Sequence, residues 1–230
     1  VSPQPSAQEA EGGRLVFLFS DPPALDPHAG AGAASALVIV ELFGGLVTVD
    51  QKLEVVPDLA ESWEISEDGT EYTFSLREGV SFHDGTDFNA EAVKFNFDRM
   101  LKEDHPFHDT GPFPLAFFFS AVEEVTVVDP MTVRFKLNAP YAPFLSNLAY
   151  PTGLIVSPAA VEANGADFGR NPVGTGPFRF AEWRSNEAVV VEANPDYWDG
   201  ASALQAVVFR PITDANTRTA EMLAGGIDVM

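Results

Sequence analysis

The sequence has no cysteine, so no disulfide and no thiolate metal site can form in it. Positive charge is scarce. Thirteen Lys and Arg stand against 34 Asp and Glu, giving a formal net charge of −21 over 230 residues. A surface of that sign repels polyphosphate and anionic lipid, which argues against nucleic acid and acidic membranes as partners. Its simplest reading is a solvated exterior. Long apolar runs are also missing. The longest, around residues 33–40 and 115–119, fall far short of the roughly 20 residues of a membrane-spanning helix. The chain opens without Met, without a basic segment and without an apolar segment. Its first residues, VSPQPSAQEAEGG, are small and polar, and residues 1–13 are read as a disordered tether left after processing. Catalytic signatures are absent too. There is no Gly-x-Ser-x-Gly and no His-Glu-x-x-His. Glu123 and Glu124 fall on opposite faces of a predicted strand, so their carboxylates do not converge.

The material for a core is present. Hydrophobic residues make up 46% of the chain and 19 are Phe, enough for one large domain or two small ones. The most informative stretch is residues 60–100. Trp63 and Ile65 share one face of a predicted strand, and Glu67-Asp68-Gly69 is a turn signal. Tyr72, Phe74 and Leu76 then alternate with Thr73, Ser75 and Arg77, so the next strand has one apolar and one polar face. Glu78-Gly79 leads into a short third strand over residues 80–82, ended by Asp84-Gly85. Asn89 is a candidate N-cap with Glu91 in the first turn, and Ala90, Val93, Phe97 and Met100 recur at helical spacing. The reading is a three-strand meander feeding a helix.

Before this stretch, residues 14–19 read as a buried strand broken by Asp21-Pro22-Pro23. A small-residue loop, a helix over residues 33–43 and a hairpin of residues 46–49 and 53–56 follow. After it come a loop over 103–114, a short apolar element at 115–119 and a hairpin, 122–128 with 131–137, about Asp129-Pro130. A short helix at 141–148, a buried strand at 153–156 and a helix start at 158–163 come next, then a hairpin of 178–183 with 188–192. A strand over 204–209, a helix capped by Thr213 and a strand from 227 spell a right-handed crossover with parallel strands. The ends of the chain thus carry α/β signals and the middle is rich in hairpins. The expected fold class is α/β with an inserted α+β subdomain. The discontinuous α/β part takes residues 14–43 and 172–230, and the hairpin-rich insert takes 44–171.

The order of residues in the central stretch resembles the signature of the family 5 extracellular solute-binding proteins, the peptide- and nickel-type receptors of bacterial ABC importers. The matching pieces are the Ala-Glu-x-Trp ending at Trp63, Asp-Gly-x-x-Tyr-x-Phe ending at Phe74, Leu-Arg-x-Gly-Val ending at Val80, His83-Asp84-Gly85 and the Ala-x-x-Val-x-Phe-x-x-x-Arg helix ending at Arg99. Leu25-Asp26-Pro27-His28, the PVGTGPF run ending at Phe178, NPDYWDG (194–200) and GGIDV (225–229) are similar to the family as well. The resemblance implies a periplasmic-binding-protein-like type II (cluster C) fold. It also implies a non-catalytic, periplasmic or cell-surface receptor with no cofactor. Two lobes close around a solute, foremost a peptide, and deliver it to a membrane permease. On that reading the chain is the N-terminal lobe of a longer receptor, and the second lobe carries much of the ligand chemistry.

In open α/β sheets, ligands sit beyond the C-terminal ends of strands, which points to the loop over residues 25–33. Its small residues let another backbone approach and pair as an added strand. The resemblance singles out Ala31, Gly32 and Ala33 as ligand-binding. A merely flexible loop is the bland alternative. Gly174-Thr175-Gly176-Pro177 is not a nucleotide loop, because a spaced third glycine is missing and Pro177 blocks the helix. Read alone it is a crossing strand that needs glycine geometry. The resemblance adds Gly174, Thr175 and Gly176 as cleft lining. His105 and His108, beside Asp104 and Asp109, invite a metal reading, but a Pro-rich loop rarely fixes a coordination geometry, and no metal is expected. His83 reads as a turn residue, and His28 as a packing or hydrogen-bonding group. Residues 113–119 read as core, with an apolar cleft as the alternative, and Trp63, Trp183 and Trp198 as structural. The readings from other classes are a secreted hydrolase and an envelope chaperone or interaction module.

Overall fold

In the computed structural model, the structure describes residues 13–30 and 32–229. The expected tether over residues 1–12, Ala31 and Met230 lie outside the described residues. Gly13, expected in the tether, is the first residue of a strand, β1 (Gly13–Phe19). The apolar helix α1 (Ala33–Leu42) follows, then an antiparallel ribbon of β2 (Val47–Val49) and β3 (Val55–Pro57). Next come β4 (Ala60–Ile65), β5 (Glu71–Leu76) and α2 (Ala90–Leu101). Asn89 caps α2 as expected, its side chain accepting from the Ala92 N–H. The chain goes on through β6 (Val122–Asp129), β7 (Thr132–Leu137), α3 (Phe144–Leu148) and α4 (Pro158–Asn164). It ends with β8 (Phe178–Arg184), β9 (Ala188–Ala193), β10 (Leu204–Pro211) and α5 (Ala215–Leu223).

Two four-stranded sheets result. One runs β1-β10-β9-β8, with β1 and β10 parallel and the rest antiparallel. The other runs β4-β5-β7-β6 and is antiparallel throughout. After α5 the chain returns to β1, not to β10: the Asp228 and Val229 N–H groups donate to the Val16 carbonyl. The crossover therefore steps over β1. The helix cap is Asp214, which accepts from the Thr217 N–H at 2.8 Å, in place of the expected Thr213.

Two expected strands are not strands, and each has a physical reason. Residues 80–82 close a tight loop with 86–88, through Phe82 N–H to Thr86 O and Phe88 N–H to Val80 O. The place beside β5 goes to β7, whose Val133, Phe135 and Leu137 bury one full face. Residues 153–156 are buried, but side chains and loops satisfy their backbone. Asn96 clamps Val156, accepting from its N–H at 2.8 Å and donating to its carbonyl at 2.9 Å. Ile155 N–H goes to Gly44 O, and His28 Nε2 meets Leu154 O.

Each sheet has its own core. Under the second sheet Phe97 sits edge-on to Phe119 and Phe135 at 5.1 and 4.8 Å, all three fully buried. The core under the first sheet takes Val38, Ile39 and Leu42 from α1 and Val189, Val191 and Phe209 from the strands. It also takes Leu154, Val156, Val161 and Phe168. Leu154, Val156, Val161 and Phe168, from before the expected boundary at residue 172, thus share one core with α1 and the first sheet.

The cores meet at one charge pair. Arg99, on α2 and fully buried, donates from Nη2 to Asp26 Oδ2 at 2.6 Å. Its Nε donates to Thr110 Oγ1 at 3.0 Å, and Nη1 reaches His28 Nδ1 at 3.4 Å. Phe113 and Phe168 flank the guanidinium at 5.0 and 5.8 Å. Since Arg99 only donates, His28 Nδ1 accepts, and the Nε2 hydrogen goes to Leu154 O. His28 stays neutral: burial first, then the Arg99 charge, pull its pKa down to about 4 against the Asp26 carboxylate. Replacing Arg99 by Met strands Asp26 without its partner. The expected loss is about 3–5 kcal/mol, read as a lower urea midpoint. A loss below about 1 kcal/mol, the range of exposed ion pairs, would show that the pair does not hold the loop.

Candidate functional site

The loop from Leu25 is buried through His28 and emerges at Gly32 and Ala33, which are exposed. Gly32 has extended backbone, φ −92° and ψ 144°, and starts α1 without a side-chain cap. Helix α1 (AASALVIVEL) is apolar nearly all round. Ser35, Val38, Ile39 and Leu42 face the core, while Leu37 and Val40 are 43% and 51% exposed. An apolar helix with one face open is unusual for a surface helix.

Two cavities flank this open face. One, of about 230 Å³, is walled by Gly30, Gly32, Ala33, Ala36 and Ile39 of the loop and helix, and by Leu115, Tyr150 and Pro151. The other, of about 340 Å³, lies at the far end of α1 among Val40, Phe43, Pro151, Gly176, Pro177 and Trp198, with Asp58, Tyr197 and Asp199. Pro151 borders both. Aromatic rings extend the rim: Phe117 contacts Phe118 at 4.7 Å, and Phe118 contacts Tyr150 at 5.4 Å. A larger cleft of about 460 Å³ between α2 and α4 shares no residue with α1 and holds the Lys94–Asp98 ion pair.

The structure thus brings Gly32, Ala33 and Gly176 to cavity walls; Ala31 lies outside the described residues. Gly174 and Thr175 are buried and line neither cavity. A Cβ on Gly174 would sit 2.3 Å from the Leu42 carbonyl, and one on Gly176 would sit 2.5 Å from that of Glu41. Thr175 Oγ1 accepts from the Gly44 N–H at 3.2 Å. The run is therefore a bed for the end of α1. His83 fastens it, donating its N–H to Gly174 O, accepting from Gly174 N–H through Nδ1 and reaching Gly176 O through Nε2. His83 is thus more than a turn residue. His108 spends Nδ1 on the Arg99 carbonyl, and His105 meets Phe95 edge-on at 4.9 Å. Residues 113–119 divide: Phe113 and Phe119 are core, but Phe117 is 62% exposed, at the rim.

Sequence reasoning missed Leu37, Val40, Tyr150, Pro151 and Tyr197, while Leu115 falls in the segment whose alternative reading was an apolar cleft. The signal was there in α1, a helix with no polar face. Carboxylates colour the second cavity. Burial, and next to it the charge of Asp199, push Asp58 up to about 6 against its bond from the Gly45 N–H and the Arg77 charge. Tyr197 rises to about 12 through burial and the charges of Asp58, Asp199 and Glu41.

Two outcomes follow. Gly174→Ala costs about 1–3 kcal/mol of stability by overpacking against α1, measured by urea denaturation; a neutral effect would mean the bed can shift freely. For Asp58, the folded pKa lies above the ordinary 3.8. Between pH 3.8 and 6 the folded state therefore holds more protons, and stability falls as pH rises through that window. Asp58→Asn keeps an acceptor for Gly45 and removes this loss. Its gain over wild type is larger at pH 8 than at pH 4, by up to about 3 kcal/mol. Equal effects at both pH values would rule out a strained carboxylate.

A family profile of bacterial extracellular solute-binding proteins, family 5 (middle region), matches residues 54–230. The glutathione-binding protein GsiB of Pectobacterium atrosepticum is 37% identical over 226 residues, which is 98% of this chain and 42% of that protein. The chain thus spans about two-fifths of the length of the curated relatives it matches. Among solved structures, the periplasmic binding protein DppA of Helicobacter pylori with the peptide STSA superposes at a TM-score of 0.87 and 33% identity, over 96% of this chain and 46% of that one. A dipeptide-binding protein of Pseudoalteromonas sp. SM9913 with Met-Leu gives 0.87 and 30%, over 94% and 46%. The expected fold class is borne out: a type II periplasmic-binding-protein-like fold, matching the N-terminal lobe. The chain belongs to the family 5 extracellular solute-binding proteins.

Proposed function

We propose that the chain is the first lobe of an extracytoplasmic receptor, periplasmic or cell-surface, that delivers a peptide to an ABC import permease without turning it over. The observation that carries this reading is the open apolar face of α1 between two cavities. Such a face has a use when ligand and a second lobe cover it. Ligand contacts made only in the closed arrangement then favour closure. In this proposal Ala31, Gly32, Ala33 and Gly176 meet the ligand, and Gly174 and Thr175 hold α1 behind it. The peptides named with the solved relatives, STSA and Met-Leu, support the ligand class.

The test uses the complete gene product purified from the cell envelope. Calorimetric titration with tri-alanine and with Met-Leu is expected to give saturable, micromolar binding. The radius of gyration should fall on binding, with both peptides recovered intact. Free amino acids in the mixture would overturn the receptor reading in favour of a hydrolase. Binding of unfolded chains but of neither peptide would favour a chaperone.

A further inference from the structure

The cavity beside Gly32 differs in chemistry from the one at the far end of α1. None of the described residues lining it is charged: Gly30, Gly32, Ala33, Ala36, Leu115 and Tyr150 meet there, with Ile39 and Pro151 behind. At about 230 Å³ it is smaller than the roughly 300–1,000 Å³ of sites that enclose a whole small ligand. It has room for one large side chain. Leu37, Phe117 and Tyr150, all more than two-fifths exposed, continue the apolar surface around it. An ionised side chain placed there would lose its water without gaining a counter-charge. At the other end of the helix stand Asp58 and Asp199, and Glu41 is close enough to act with them on Tyr197. The whole chain carries −21. A ligand with surplus carboxylates therefore meets repulsion at that end of α1 and no counter-charge at the other.

We propose that this cavity is a specificity pocket for one apolar side chain, aromatic by preference, of a peptide carrying no surplus negative charge. This deepens the receptor reading and rests on it. It also sets this chain apart from the relatives named for glutathione, because glutathione brings two carboxylates, one ammonium and no large apolar side chain.

The experiment titrates the complete gene product with tri-alanine, with tri-alanine bearing Phe or Glu at each position in turn, and with reduced glutathione. At one position Phe should tighten binding at least about tenfold over Ala, as expected for filling an apolar pocket. Glu at that position and glutathione should bind more weakly than tri-alanine. A Cβ on Gly32 meets nothing within 4 Å, and its φ is allowed to any residue, so Gly32→Phe should fold and fill the cavity. The Phe/Ala ratio then falls towards one. Ala36→Leu, on the same helical wall one turn further on, should lower it as well. Val128→Thr, an exposed site on β6, should leave it unchanged. Peptide binding with no Phe gain at any position, a gain untouched by both cavity variants, or glutathione binding tighter than every peptide overturns the pocket and leaves a receptor. Absence of binding to any probe overturns the receptor reading together with the pocket.

Discussion

The Arg99–Asp26 pair is the constraint on which the rest of the site depends. A buried ion pair is a poor source of net stability, since desolvating both charges offsets most of their attraction. Its effect is on specificity. Arg99 has a partner in one arrangement only, with Asp26 at 2.6 Å, Thr110 at 3.0 Å and two rings against its faces. Any other path of the loop leaves a guanidinium unpaired between two cores. Asp26 in turn accepts the His28 N–H at 2.9 Å and offers its carbonyl to the Gly30 N–H at 3.0 Å. The five loop residues from Asp26 to Gly30 are thereby fixed from a helix 73 positions later, just ahead of Gly32 and the start of α1.

The other end of α1 is held with equal strictness by a different device. Gly174 and Gly176 lie so close to the Leu42 and Glu41 carbonyls that a side chain there would overlap them. His83 locks this bed by bonds to both glycines, and burial keeps its ring neutral, its pKa drawn down to about 4. A helix pinned at both ends can present an apolar face to solvent without sinking into the core. That is the physical condition for a preformed recognition surface.

Most of the scaffold was legible because it is locally coded. The alternation in β5 and β7, the Asn89 cap and the hairpin turns each act within a few residues, and the structure keeps them. The misses are non-local. Residues 153–156 look like a strand by composition, yet Asn96 takes the hydrogen bonds that a neighbouring strand would have taken. No pattern near residue 155 announces an amide on α2. Residues 80–82 lost their place to β7, a competition decided 50 positions away. At the site, the small-residue loop was readable, but Tyr150, Pro151 and Leu115 reach the cavity only through the tertiary fold. The role of Arg99 as the partner of Asp26 was invisible for the same reason, although both residues stood in recognisable motifs.

The electrostatics make an argument about how such a lobe works. Asp58 sits in a cavity wall where burial, with a smaller push from Asp199, outweighs the help of Gly45 and Arg77 and raises its pKa to about 6. Covering that cavity with a second surface removes more water. An uncompensated carboxylate resists such cover, whereas a ligand ammonium placed beside it removes the resistance. On the proposed reading, the acidic end of α1 therefore opposes closure on an empty cleft and permits closure on a filled one. The apolar end acts the other way, since covering Leu37, Phe117 and Tyr150 is favourable with or without ligand. A lobe with only the apolar end would close unloaded, and a lobe with only the acidic end would gain little from closing. On the proposed reading, the two ends of one helix together make closure depend on the ligand.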